Sequence, residues 1–129
     1  MNESLLVPVS IAELLDKISI LEIKKMELVD PEKLSHVDLE LNALKTIAKE
    51  NDLLDLFKDD LYFDLKKINL DLWHICNLRR KQELLQDFGE DFIRESRREY
   101  LTNDKRAAIK NEINKKCNSV IREVKSYDK

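Results

Sequence analysis

Apolar side chains recur every three or four positions along most of this chain, the interval at which residues share one face of an α-helix. A lead-in over residues 1–9, containing Pro8, is expected to lay Leu5, Leu6 and Val7 against the body before Ser10 opens a first helix. Ser10-Ile11-Ala12-Glu13 has the spacing of a capping box, in which a hydroxyl and a carboxylate each take a free backbone N–H. Ile11, Leu14, Leu15, Ile18 and Leu21, widened by Ile20 and Ile23, form a stripe too broad for one neighbour, so this helix is expected to touch at least two.

Asp30-Pro31 closes that helix and starts a second. Asp can cap, and Pro suits the first helical position, where its missing N–H costs nothing. Leu34, Val37, Leu41, Leu44 and Ala48 then give a narrow, coiled-coil-like seam. Leu53, Leu54, Leu56 and Phe57 predict a short connecting turn, and Asp59-Asp60 begins a long third helix. Two registers compete for its buried face: Leu61, Leu65, Ile68, Leu72, Ile75 and Arg79, or Leu65, Asn69, Leu72 and Cys76. Gly89 is the expected stop, with Phe88 and Phe92 as core plugs at the corner. A fourth helix is expected over residues 90–101, a break at Thr102-Asn103-Asp104, and a fifth helix through Arg106, Ile109, Ile113, Cys117, Val120 and Val124, with a pause at Asn118-Ser119. Residues 126–129 read as a loose tail onto which Tyr127 could fold. Short links force antiparallel neighbours. The expected fold is therefore all-α, an up-and-down antiparallel helical bundle of four to five helices, in a single domain over residues 1–129.

Composition narrows the chemistry. With one Gly and two Pro, positive-φ positions are expected to be scarce, and neither G-x-G-x-x-G nor G-x-x-x-x-G-K can be written, which excludes dinucleotide fingerprints and phosphate-binding loops. Asp71-x-x-His74 has no matching motif on another helix, and His74 with Cys76 lacks a second ligand pair, so no metal and no cofactor is expected. Glu13-x-x-Asp16 is not accompanied by any E-x-x-E, as magnesium-dependent nucleotide-cleaving bundles require; it is read as capping and lysine pairing within the first helix. Leu15-Asp16-Lys17-Ile18 is similar to a segment of chorismate-mutase-like enzymes, but the first helix has no arginine to clamp a dicarboxylate. Cys76 and Cys117 read as buried free thiols. Without a leader or an apolar run of about 18 residues, the chain is expected in the cytoplasm and not in a membrane.

Charge is unevenly placed: residues 1–70 hold nine lysines against fifteen acidic residues, residues 71–129 fourteen basic against eleven acidic, and every arginine lies from Arg79 onward. Arg79, Arg80, Arg94, Arg97, Arg98 and Arg106 could converge on a phosphate or carboxylate, each fork offering two hydrogen bonds. Alternatively they form a solvated face, since Glu90 and Asp91 pair in register with Arg94, and Glu95 with Arg98. The acidic total and few aromatics argue against nucleic acid. Trp73, one turn from Asn69, is either a core residue whose Asn69 neighbour satisfies a backbone group, or a partner contact.

Val9-Ser10-Ile11-Ala12-Glu13-Leu14-Leu15-Asp16-Lys17-Ile18-Ser19-Ile20-Leu21-Glu22-Ile23-Lys24 resembles the opening signature of a family of short, functionally uncharacterised bacterial and phage proteins. Ile68-Asn69, Leu72-Trp73, Arg79, Phe92-Ile93, Arg97, Tyr100, Asn103-Asp104, Arg106, Lys110, Ile113-Asn114 and Glu123 to Tyr127 extend the resemblance along nearly the whole chain. Relatives usually carry an acidic pair after the tryptophan, where this chain has Cys76-Asn77, so a role for such a pair does not transfer. The resemblance implies a shared helical architecture and no known activity. Its polar matches, Lys24, Asn69, Arg79, Arg97, Tyr100, Asn103, Asp104, Arg106 and Lys110, suggest one polar site between helices. Two readings remain open: a non-catalytic interaction or scaffold protein, docking another protein or a second copy of itself, and a small anion-binding protein or enzyme that uses Arg79, Arg97 and Arg106 with Tyr100 or Asp104.

Overall fold

The computed structural model describes residues 4–121 and residue 124. The expectations for Arg122, Glu123, Tyr127 and the 126–129 tail lie outside those residues. Four α-helices, α1 (Ile11–Glu27), α2 (Pro31–Glu50), α3 (Asp60–Leu84) and α4 (Glu90–Lys116), and a 3-10 helix, Leu54–Lys58, make up an all-α antiparallel bundle.

The starts follow the local chemistry. Ser10 Oγ accepts from Glu13 N at 3.0 Å, Asp30 Oδ2 from Lys33 N at 3.2 Å, and Asp59 Oδ1 from Leu61 N at 2.9 Å. Each ties down a backbone N–H that the helix itself leaves open. The reciprocal half of the capping box does not form, because the Glu13 carboxylate reaches Lys110 instead.

The ends place their few positive-φ positions at residues other than glycine. Asp52, Gln86 and Asn118 have φ of 57°, 54° and 55°, and the same pair of bonds closes all three helices. Asp52 N, Gln86 N and Asn118 N donate to Lys49, Glu83 and Lys115 carbonyls, while Leu53 N, Asp87 N and Ser119 N donate to Ala48, Gln82 and Asn114 carbonyls. This is the Schellman closure, usually made with glycine. Asp and Asn tolerate the left-handed region comparatively well. Consequently α3 stops at Leu84 and not at Gly89, whose φ of -79° places it as the N-cap of α4.

Two further expectations are overturned. Thr102-Asn103-Asp104 does not break the chain: α4 runs through it, so the described residues hold four α-helices, the lower of the four to five expected. Asn and Asp cost a helix interior well under about 1 kcal/mol, and Arg106, one turn on, is held to Asp16 of α1. Leu5 (91% exposed), Leu6 and Val7 do not pack on the body either.

α1 is the hub. Leu14, Ile18 and Leu21 meet Val37, Leu41 and Ala48 of α2, while Ala12 and Leu15 meet Tyr62, Leu65 and Ile113 of α3 and α4. The broad stripe thus has the two neighbours its width requires. On α3 the buried positions include Leu65, Asn69 and Ile75, mixing the two registers. The 3-10 helix brings Leu56 and Phe57 under the bundle, Phe57 edge-on to Tyr62 at 4.9 Å.

Helix lengths then decide the shape. Asn69 bonds Ser19 and Asp16, and Arg106 bonds Asp16, so α1 runs alongside α3 and opposite to α4. At 1.5 Å per residue, α1 ends level with Asn77, and roughly two turns of α3 and of α4 continue beyond it as a two-helix arm.

Candidate functional site

The helices meet around a carboxylate. Asp16, 1% exposed, stands on the same face of α1 as Ala12, Ser19 and Ile23. Its Oδ1 accepts from Asn69 Nδ2 at 2.7 Å and from Arg106 Nε at 3.0 Å, and its Oδ2 from Arg106 Nη2. Lys110, 4% exposed, lies 3.6 Å from Asp16 Oδ2 and donates to Glu13 Oε2 at 2.7 Å. Ser19 Oγ accepts from Asn69 at 2.8 Å and donates to the Asp16 carbonyl at 2.8 Å. Among the described residues, two carboxylates therefore face two cations. One turn further along α4, Asn114 Oδ1 accepts from Ala12 N at 2.9 Å, and beyond the helix Ser119 Oγ accepts from Ile11 N at 3.3 Å, so residues more than a hundred positions away cap α1.

Such an arrangement holds three helices in register. Removing one partner strands a charge in the interior, and a bidentate fork fixes direction as well as distance. A carboxylate that is 1% exposed and already accepts from Asn69 and Arg106 is closed to a substrate.

Above this group the interface opens. A cleft of about 270 Å³ is lined by Ile20, Ile23, Leu72 and Trp73 with Asn69, Asn103 and Arg106. Cys76 is shared with a second cleft of about 260 Å³, where Arg79 pairs with Glu99 and lies 5.2 Å over the Phe92 ring. Cys76 Sγ donates to Glu99 Oε1 at 3.2 Å. Burial, followed by that bond and the Glu99 charge, pushes the Cys76 thiol up, and burial likewise raises Cys117. Both thiols stay protonated, and both are half-buried, not buried. Among the described residues no group of three His, Cys, Asp or Glu is placed to hold a metal ion.

The residues singled out from the sequence are divided by this geometry. Asn69, Asn103, Arg106 and Lys110 come together, and Trp73 lines the cleft beside them, half-buried. Asn69 bonds side chains, not the backbone group expected of it. Arg79 stands in the neighbouring cleft. Arg97 and Arg106 are nine residues apart on one unbroken helix, half a turn out of phase, so the proposed convergence of Arg79, Arg97 and Arg106 does not occur. Arg97, Tyr100 and Asp104 are exposed, and Lys24 is half-buried on α1. Phe88 is also exposed, touching Phe92 edge-on at 5.3 Å instead of filling a core.

A model described as a family of unknown function (DUF6165) matches residues 5–129. The chain belongs to that family. No curated protein and no solved structure matches it.

Sequence reasoning assigned Asp16 to pairing within its own helix and did not single out Ser19, Glu99 or Asn114. A signal was present for the first two. Asp16 and Ser19 interrupt the face Ala12, Leu15, Ile23 at helical spacing, and a charged residue inside an apolar stripe calls for an internal partner. Glu99 had none, because its partner Arg79 lies on another helix.

Proposed function

We propose that the protein is a non-catalytic interaction module in which a locked base holds out the α3–α4 arm as a docking surface for protein. The observation that carries this reading is the arm's exposure: Leu84 (84%), Leu85, Phe88 and Ile93 (58%) lie bare on two short turns. Large apolar groups clustered on one projecting element mark interaction sites. Anion binding is less well supported, since Arg106 and Arg79 already face built-in carboxylates.

Photo-crosslinking residues placed at Phe88 and at Ile93, with a control at exposed Leu39 on α2, test it in the cells that make the protein. Adducts of defined mass at the arm positions and none at Leu39 are expected. No adduct at either arm position overturns the reading.

The cleft beside Trp73 favours a second, narrower reading, a small uncharged polar molecule held by Asn69 and Asn103 against apolar walls. Trp73 is the sole tryptophan, so its emission reports occupancy directly. A spectrum unchanged across a screen of neutral metabolites would sink it.

A further inference from the structure

The arm separates its charges along its length. Its tip, residues 82–91, carries Glu83, Asp87, Glu90 and Asp91 and no basic residue. Just below lie Arg79, Arg80 and Lys81 on α3 and Arg94, Arg97 and Arg98 on α4. On the outer face of α4 those arginines wall a shallow hollow of about 460 Å³ floored by Ile93 and Leu101, with Glu90 at its upper end. One end of the arm is acidic and apolar, and the next stretch is a basic rim around apolar side chains.

Resting on the docking role proposed above, we infer that the occupant of this surface is a second copy of the chain, its arm laid antiparallel across the first. A two-fold interface brings residue i to j and j to i, so a surface must complement itself. With the two-fold axis at the level of Ile93 and Arg94, Arg97 of one copy stands opposite Glu90 of the other. Leu101 stands opposite the turn that carries Leu85 and Phe88. Glu90 and Arg97 are roughly 10 Å apart along the helix, so both oppositely charged pairs form at once, one on each side of the axis. The intrahelical bridge of Arg94 with Asp91 offers little resistance, being an exposed pair worth about a few tenths of a kcal/mol, and the bridge of Arg98 with the buried Glu95 is left in place.

The test is a charge exchange read by light scattering on the full chain, whose single-copy mass is 15.3 kDa. Wild type is expected at twice that mass at high concentration and low salt, returning to the single-copy value as salt rises. Arg94→Glu with Arg97→Glu makes tip and rim both acidic, and Glu90→Lys with Asp91→Lys makes both basic. Each variant alone is expected to stay at the single-copy mass, while an equimolar mixture regains the doubled mass. That recovery also shows both variants folded. A wild type at the single-copy mass at every concentration overturns the inference, as does pairing of either variant alone or a mixture that stays apart. The crosslink at Ile93 separates this failure from that of the docking role: an adduct with a different protein overturns self-association alone, whereas no adduct removes both.

Discussion

Around Asp16, three helices enclose two carboxylates and two cations until none faces water unpartnered, whereas past Asn77 the same α3 and α4 leave Leu84, Leu85 and Ile93 bare. The two regions share backbone geometry and much of their composition. What differs is the number of neighbours. In the base each helix has α1 to lean on, so a charged side chain directed inward finds an opposite charge within hydrogen-bonding range. In the arm each helix has only the other, and a pair of helices can bury one stripe apiece; every other side chain meets solvent or a further molecule. Rigidity and stickiness are thereby assigned to different ends of one hairpin.

The sharpest way to break this contrast is to remove the anion at the centre of the base. Asp16→Ala leaves Arg106 and Lys110 directed into an enclosed interface and is expected to lower the unfolding free energy by about 3–5 kcal/mol in urea titrations. Arg94→Ala, which removes an exposed bridge on the arm, is expected to cost about 0.2–1 kcal/mol. Equal losses would erase the distinction between the two regions.

Next in size is Tyr62→Phe, which removes the hydroxyl that donates to the Glu22 carboxylate under α1. Loss of a bond to a charged group is expected to cost about 1.5–3 kcal/mol at neutral pH. Burial, and then the bond to Glu22, raise this phenol above its ordinary value. In the unfolded chain it releases its proton near pH 10, while in the folded chain it keeps it. The folded state then binds more protons, so the stability contributed by Tyr62 is intact below about pH 10 and declines as pH rises further. Melting curves between pH 9 and pH 11, taken as about one unit either side of that value, should show this decline in the wild type and a flatter profile in Tyr62→Phe.

Gln86→Gly probes the arm from the opposite direction. A left-handed non-glycine residue costs about 1–2 kcal/mol, and glycine gives back part of that in chain entropy, so a gain of about 0.5–1 kcal/mol is expected. Smallest of all, Leu84→Ser should alter the unfolding of dilute protein by no more than about 0.5 kcal/mol. A large loss there would place Leu84 in a core that the arm does not have.

Much of the fold was legible before any coordinates. Ser10, Asp30 and Asp59 each start a helix because a side-chain oxygen within three residues answers a free N–H, an interaction that depends on little beyond local spacing. The site was less so. Asn69, Arg106 and Lys110 were candidates, but Asp16, which gathers them, was read as capping and pairing with lysines of its own helix, since nothing local states which way a lone carboxylate points. Arg97 was grouped with Arg106 because a break was expected between them, and only the continuity of α4 turns the two to opposite sides.

Three-and-four periodicity, near-absence of glycine and proline within elements, and capping residues fixed by themselves that this chain makes amphipathic rods, because those preferences act over distances of a few residues. Which rod stands in the middle, which polar side chains are sealed inside it, and which stretch is left bare depended on the unequal lengths of α1, α3 and α4 and on contacts across 50 to 100 positions of sequence. Those are properties of packing, and they come into being only when the rods are assembled.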